Sequence, residues 1–357
     1  MTFYYHGTIV MKTRLLANDL QVSSIGFGAM GLSEFYGDVD DNQSLTVLNE
    51  LLNLDMNFID TADMYGGGHN EQLLGKFMND LPQQDKQKFV IATKCGIQRL
   101  QAGSYNRAIN NSPEYITQCC DESLKRLGLD AIDLFYLHRI DKNVPIEESV
   151  GCLADLVKQG KIRHIGLCEV SETTLRKAHA VFPITALQTE YSLWTRDIET
   201  DILPAVKELG IGFVPYSPLG RGFLTGKYTS NDDFSDKDFR KHNARFSPEN
   251  LNHNIRLLTT IEPIAQKYQA TMGQIALAWL LAQYDKLVPI PGTKKLSYLI
   301  FWHTLHRVVA LMRRTKSKGS REDRGQLFCP SSVENMARFC LSIMYTDTCY
   351  GNIIISG

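Results

Sequence analysis

Phe89-Val90-Ile91-Ala92-Thr93-Lys94 is an apolar, β-branched run of strand length that ends on a cation. The runs before and after it repeat the plan. Asn57-Phe58-Ile59-Asp60 ends on an acid and Leu134-Phe135-Tyr136-Leu137-His138 on an imidazole, with a helix-like stretch between each pair. Successive β-α units produce this alternation, and the ends of parallel strands converge on one face. Outward from these three, strand candidates number eight: 24–28, 57–60, 89–94, 134–138, 164–167, 186–189, 212–215 and 287–290. Amphipathic helix candidates fall between them at 42–54, 113–127, 146–159, 172–180, 198–209 and 271–284. Eight units fit an α/β fold of the closed (β/α)8 TIM-barrel kind, whose reactive groups belong at the strand C-terminal ends. Residues 14–22 read as an N-terminal hairpin closing the opposite mouth.

The 357 residues, 43% of them hydrophobic, suffice for one large barrel core. A net charge of -1 gives no electrostatic reason for a nucleic-acid or anionic-membrane partner. Eight cysteines lack a repeated C-x-x-C spacing, which points to reduced thiols in a cytoplasmic protein rather than to a disulfide framework or a metal site. Neither a signal peptide nor a run of roughly 18 apolar residues is expected. Residues 1–11 read as an N-terminal extension, with Met11 beginning a more ordinary-looking start, and 12–299 as the barrel. The tail, 300–357, shifts in composition. It carries eight Lys and Arg against four Asp and Glu, while 1–299 carry 30 against 35. Within it, Leu305, Val308, Val309 and Met312 have the spacing of an amphipathic last helix, and the basic run at 313–320 reads as a solvated linker.

Gly26-Phe27-Gly28-Ala29-Met30-Gly31 matches the dinucleotide pattern G-x-G-x-x-G, but loop-like sequence follows and helical periodicity resumes only near Asn42. A pyrophosphate would lack its helix N-terminus, so the glycines read as a tight first βα loop, with a doubly wound nucleotide domain as the alternative fold. Residues 219–254 are long, polar and punctuated by aromatics, as in a loop arching over a site.

Asp60, Lys94 and His138, with Tyr65 just beyond the first of the three strands, supply the parts of a carbonyl reduction. A tyrosine is a weak acid unaided, a nearby ammonium stabilises its phenolate, an aspartate keeps the lysine charged, and a histidine can donate to a carbonyl oxygen. Taken singly, Asp60 is as readily a helix cap, Lys94 a solvated charge and His138 a hydrogen-bonded core residue.

Together with Asp60-Thr61-Ala62-Asp63-Met64-Tyr65-Gly66, these residues resemble the aldo-keto reductases over roughly 12–299, most closely the bacterial and plant NADPH-dependent branch. The resemblance implies that Tyr65 donates the proton, that Lys94 and Asp60 tune it, and that His138 orients the carbonyl. The implied cofactor is NADPH lying across the barrel mouth. Tyr216 would stack on its nicotinamide; Ser217, Leu219 and Arg221 would contact its pyrophosphate; Gln188, Cys168 and Glu169 would face the carboxamide. Gly28 and Met30 would lie under the ring, and Thr293 with Lys294 would hold the 2'-phosphate. Phe27, Met64 and Trp194 would line the pocket for a small-molecule carbonyl substrate, each equally plausible as packing. No metal is implied.

Two departures stand out. Cys168 occupies a position where the family carries serine, and a thiol is the weaker hydrogen-bond partner. Ile300, Phe301 and Trp302 stand where the family has an acid and an asparagine gripping the adenine. Losing those contacts predicts weaker cofactor binding, about tenfold per 1.4 kcal/mol. Tyr216-Ser217-Pro218-Leu219 also resembles potassium-channel β subunits, so a slow binding or regulatory subunit is the second reading, and a protein impaired by its divergent end the third.

Overall fold

A computed structural model describes residues 11–101, 106–305 and 308–309. An antiparallel hairpin, β1 (Thr13–Leu16) and β2 (Leu20–Ser23), precedes the first barrel strand, β3 (Phe27–Gly28). Then come β4 (Phe58–Asp60) and β5 (Val90–Cys95), a small antiparallel pair β6 (Ile97–Arg99) and β7 (Arg107–Ile109), and the strands β8 (Ile132–Leu137), β9 (Ile162–Cys168), β10 (Ala186–Glu190) and β11 (Gly212–Tyr216). The seven barrel strands are parallel, in the order β3-β4-β5-β8-β9-β10-β11. The sheet twists towards closure as a (β/α)8 barrel.

The eighth staves are the residues around Val288, and their sequence explains why so little regular ladder forms there. Val288 N and Ile290 N donate to Phe213 O and Pro215 O of β11, at 2.8 and 3.1 Å. On the other edge Pro289 and Pro291 have no N–H to give and only accept, from Gly26 N at 2.9 Å and Gly28 N at 3.0 Å. The ring is therefore joined on both sides with half a ladder on one. That side also brings two backbones together. A Cβ on Gly28 would lie 2.8 Å from Ile290 O, and one on Gly292 would lie 2.5 Å from Gly28 O. The glycine pattern near the start is thus a seam of the barrel.

Helices flank the strands: α1 (Asp41–Asn53), α2 (His69–Asp80), a short α3 (Gln83–Lys86), α4 (Pro113–Leu127), α5 (Ile146–Lys158), α6 (Glu172–Val181), α7 (Ile202–Glu208), α8 (Pro248–Lys267), α9 (Met272–Leu281) and α10 (Leu296–His303). Two expectations need correction. The helix at 198–209 is split, a 3-10 turn over Asp197–Glu199 being followed by α7, whose first N–H is taken by the Asp201 side chain. The long loop stops short of 254, because Ser247 caps α8 and Pro248 is its first residue. Around the boundary expected at 299, α10 runs from Leu296 to His303, and Trp302 and Leu305 are buried in the main core. The expected helix from Leu305 to Met312 falls largely outside the described residues, as do 1–10 of the extension and the tail beyond 309.

The core has two layers. Phe58, Leu134, Tyr136, Ala186 and Val214 fill the inside of the barrel with Leu16, Leu20 and Val22 of the hairpin, while a larger apolar layer separates strands from helices. Arg14 fixes the hairpin by donating to the carbonyls of Leu281, Tyr284 and Leu287 at 2.6–2.8 Å. The lower mouth is thereby plugged and chemistry is left to the upper one. Adding a methyl group at the seam forces two backbones apart, so Gly292→Ala is expected to lower unfolding stability by about 1–3 kcal/mol. Denaturant titration checks this, and a variant with the wild-type midpoint would refute the close approach.

Candidate active site

Asp60 is the last residue of β4 and Lys94 the last but one of β5, so their side chains meet over the upper mouth. Both are buried, and Lys94 Nζ donates to Asp60 Oδ1 at 2.5 Å, to Thr61 O at 2.7 Å and to Tyr65 Oη at 3.4 Å. The ammonium also lies 5.1 Å from the centre of the Tyr65 ring. The second carboxylate oxygen of Asp60 accepts from Gln188 Nε2 at 2.7 Å. Both oxygens are therefore filled, which a buried ion pair needs to offset its desolvation. Gln188, which the resemblance sets against the carboxamide, thus gives one amide N–H to Asp60.

Burial disfavours the charge on Lys94, but Asp60, Tyr65 and Cys168 outweigh it and hold the ammonium above its usual range. Burial pushes Asp60 up, with Lys94 and Gln188 opposing. Burial raises Tyr65 and Lys94 opposes it, as the sequence reading expects, and the balance leaves the phenol at about 12. Its phenol is protonated throughout the neutral range.

His138 follows β8 directly, its backbone N–H donating to Cys95 O at 2.7 Å. Its ring stands edge-on to Tyr65, centroids 5.8 Å apart at 84°. Burial, with Lys94, Arg139 and Arg107 nearby, holds it well below the usual histidine range, so the imidazole is neutral. Its Nδ1 is sealed from solvent without a partner. Met64 packs with Ala62, Tyr65 and Ile97, and Met30 and Phe35 lie against that cluster, making an apolar wall beside the phenol. Phe27 is instead buried in the layer between barrel and helices. Trp194 is packed on Phe223, centroids 4.2 Å apart, beneath the Arg245 guanidinium.

The remaining candidates lie around the rim. Burial first raises Cys168 to about 12, a neutral thiol at the end of β9. Glu169, Ser217 and Arg221 all hold positive φ, at 51°, 48° and 57°. Backbone strain of this kind is tolerated where the surroundings fix a local geometry. Glu169 receives Glu190 N at 2.9 Å, and Arg221 Nε is buried with no partner. Tyr216 ends β11 and is held far above its usual range by burial, with Glu169 and Glu190 adding to it. Leu219 leads into the 3-10 turn over Gly220–Thr225. Thr293 Oγ1 accepts from Lys295 N at 3.0 Å, while Lys294 Nζ donates to Tyr36 O at 2.6 Å and Asp38 O at 2.7 Å.

What the sequence reading missed is how the long loop fastens. Phe239 N donates to Phe35 O at 2.9 Å, Lys237 pairs with Asp38 at 2.7 Å, and Arg240, paired with Asp238, lies 4.4–5.1 Å from the rings of Tyr228, Phe234 and Tyr36. The alternating Asp236-Lys237-Asp238-Phe239-Arg240 was the available signal. Among the described residues no group of metal-ligating side chains occurs, and no helix is long and apolar enough to cross a membrane.

A profile of the Aldo/keto reductase family matches residues 24–300. The chain belongs to the aldo-keto reductases. It is 47% identical over 291 residues to a probable aldo-keto reductase 1 of Glycine max, covering 81% of this chain and 82% of that one. It is 44% identical over 292 residues to an aldo-keto reductase of Schizosaccharomyces pombe named for NADP(+), covering 81% and 85%. The solved glycerol dehydrogenase of Gluconobacter oxydans superposes with a TM-score of 0.76 at 25% identity, covering 94% of this chain and 97% of that one. The holo form of an aldo-keto reductase from Bacillus halodurans gives 0.70 at 25%, covering 91% and 96%.

Burial also raises a carboxyl close to this site, that of Asp63. Asp63 is partly accessible, but its Oδ1 is sealed without a partner; burial and then Glu71 raise it to about 8, against the pull of Arg126. The folded protein therefore binds this proton more tightly than the unfolded chain does. That contribution to stability is complete below the ordinary aspartate value of 3.8 and is lost as pH rises to about 8. Asp63→Asn removes the dependence, so the variant's advantage over wild type should grow across that window by about 2 kcal/mol and level off above it. Denaturant midpoints measured from pH 4 to 9 test the sign; an advantage that shrank with rising pH would contradict it.

Proposed function

We propose that the chain reduces aldehydes or ketones to alcohols with NADPH, Tyr65 supplying the proton. The single observation that carries this reading is the buried Lys94 ammonium, which bonds Asp60 on one side and reaches the Tyr65 oxygen on the other.

The residues present fit the cofactor. Arg221, with its partnerless buried Nε, and the turn after Leu219 would face its pyrophosphate, Lys294 and Thr293 its 2'-phosphate, and Tyr216 its nicotinamide. Bound there, it supplies the hydride. A carbonyl oxygen between Tyr65 Oη and His138 receives a hydrogen bond from the neutral imidazole. As negative charge gathers on that oxygen, Tyr65 passes its proton across, since an alkoxide is a far stronger base than a phenolate even for a phenol at about 12. Lys94 then faces the phenolate at hydrogen-bond range, and Asp60 holds Lys94 charged and in place. The site thus stabilises the charge that develops, not the neutral substrate.

The contacts of Lys294 with Tyr36 and Asp38, and the fastening of the long loop onto the first, also favour slow cofactor exchange, as a binding subunit would show. Turnover separates the readings. NADPH oxidation with a panel of aldehydes is expected to proceed in wild type and to fall at least about 100-fold in kcat in Tyr65→Phe, with the NADPH dissociation constant, read by fluorescence titration, within about threefold. Equal and slow rates for the two proteins would exclude the enzyme.

A further inference from the structure

The first turn of helix α2 carries two polar residues that are fully buried, Asn70 and Glu71. Neither acts as the helix cap, which is Gly68 with no side-chain bond. Asn70 Oδ1 accepts from Thr61 Oγ1 at 2.5 Å, and its Nδ2 donates to Ala29 O at 2.9 Å and Ser33 Oγ at 2.7 Å. Glu71 Oε1 accepts from Thr93 Oγ1 at 2.5 Å, and its Oε2 accepts from Arg126 Nε at 2.7 Å. The two threonines are the chain neighbours of the ion pair. Thr61 follows Asp60, and Thr93 precedes Lys94. Thr61 O is, in addition, an acceptor for Lys94 Nζ.

We infer that Asn70 and Glu71 are positioning residues, gripping Thr61 and Thr93 from behind so that Lys94 Nζ is set between Asp60 and Tyr65. The inference rests on the reductase reading for its kinetic consequence and on the contacts alone for its structural one. Lys94 reaches Tyr65 at 3.4 Å, near the limit of a hydrogen bond, so a small displacement of either strand end decides whether the ammonium stabilises the phenolate. Burying a carboxylate and an amide in the first turn of a helix is costly unless every polar atom finds a partner, and here each does. Asn70 also takes in Ala29 and Ser33, so the same side chain ties the first βα loop, with Met30, to the floor of the site.

The threonines allow a near-isosteric test. Thr61→Val and Thr93→Val each delete one hydroxyl donor, while Thr61→Ser and Thr93→Ser retain it. In the full-length protein each valine variant is expected to lower kcat about tenfold with the NADPH dissociation constant within about twofold, and each serine variant to recover to within about twofold of wild type. The second readout needs no turnover. The 15N signal of Lys94 Nζ, assigned by its loss in Lys94→Arg, should move in both valine variants and return in both serine variants. Valine variants with wild-type kcat and an unmoved Lys94 signal, whatever their thermal stability, would overturn the inference. If wild type itself showed no turnover while the signal moved as expected, the reductase reading would fail and the positioning role would stand.

Discussion

The ammonium of Lys94 sits with no exposure to solvent among Asp60, Thr61 and Tyr65, and the upper half of the barrel is arranged around keeping it charged. A lone buried cation would shed its proton; one with a carboxylate and a carbonyl at hydrogen-bond distance keeps it. The carboxylate in turn needs its second oxygen filled, and Gln188 comes from the far side of the barrel to do so. Removing either Lys94 or Asp60 leaves the other charge buried and unpaired, at a cost of roughly 3–5 kcal/mol. The acidity of Tyr65 follows from that arrangement. Burial alone would make the phenol too weak an acid, and Lys94 offsets part, but not all, of that effect.

Barrel closure is what brings these groups within reach, and its weakest joint is chemical in origin. The stave carrying Pro289 and Pro291 can accept on one edge but cannot donate. Gly28 and Gly292 compensate by letting the two backbones pack directly. At the rim, Phe35, Glu169, Ser217 and Arg221 take positive φ, and all four belong to loops leaving the upper ends of strands or to the long loop. Asp60, Lys94 and Gln188 are held on regular strands, whereas Glu169, Ser217 and Arg221 stand on strained turns.

Much of this is legible in the sequence, for reasons that also mark where reading stops. Strands β4, β5 and β8 are near-continuous apolar runs because both of their faces are buried, and Asp60, Lys94 and His138 stand at or next to their upper ends. Gln188 enters the sequence reading only through the family resemblance, and its bond to Asp60 spans 128 positions and leaves no local trace. Helix α2 was not singled out because Asn70 and Glu71 occupy its inward face and break the apolar period that would have revealed it. The split of helix 198–209 turns on the Asp201 side chain taking a backbone N–H, a choice between local hydrogen bonds that composition does not decide.

The divergent end shows the same distinction between packing and recognition. The family match stops at residue 300, yet α10 continues through it to His303. Trp302 and Leu305 are buried, Gln274 donates to Phe301 O at 2.9 Å, and His303 Nδ1 meets Leu54 O at 3.1 Å. Burial asks for apolar volume of about the right size and accepts many residues that supply it. Recognition of a ligand asks for particular donors at particular places and accepts few. Ile300 and Phe301, 51% and 44% exposed, therefore meet the first demand through the rest of their helix while offering no polar side chain to the second. A chain can leave its family's pattern at this point and keep the barrel, because the groups that hold α10 to the body are not the groups that would hold a cofactor.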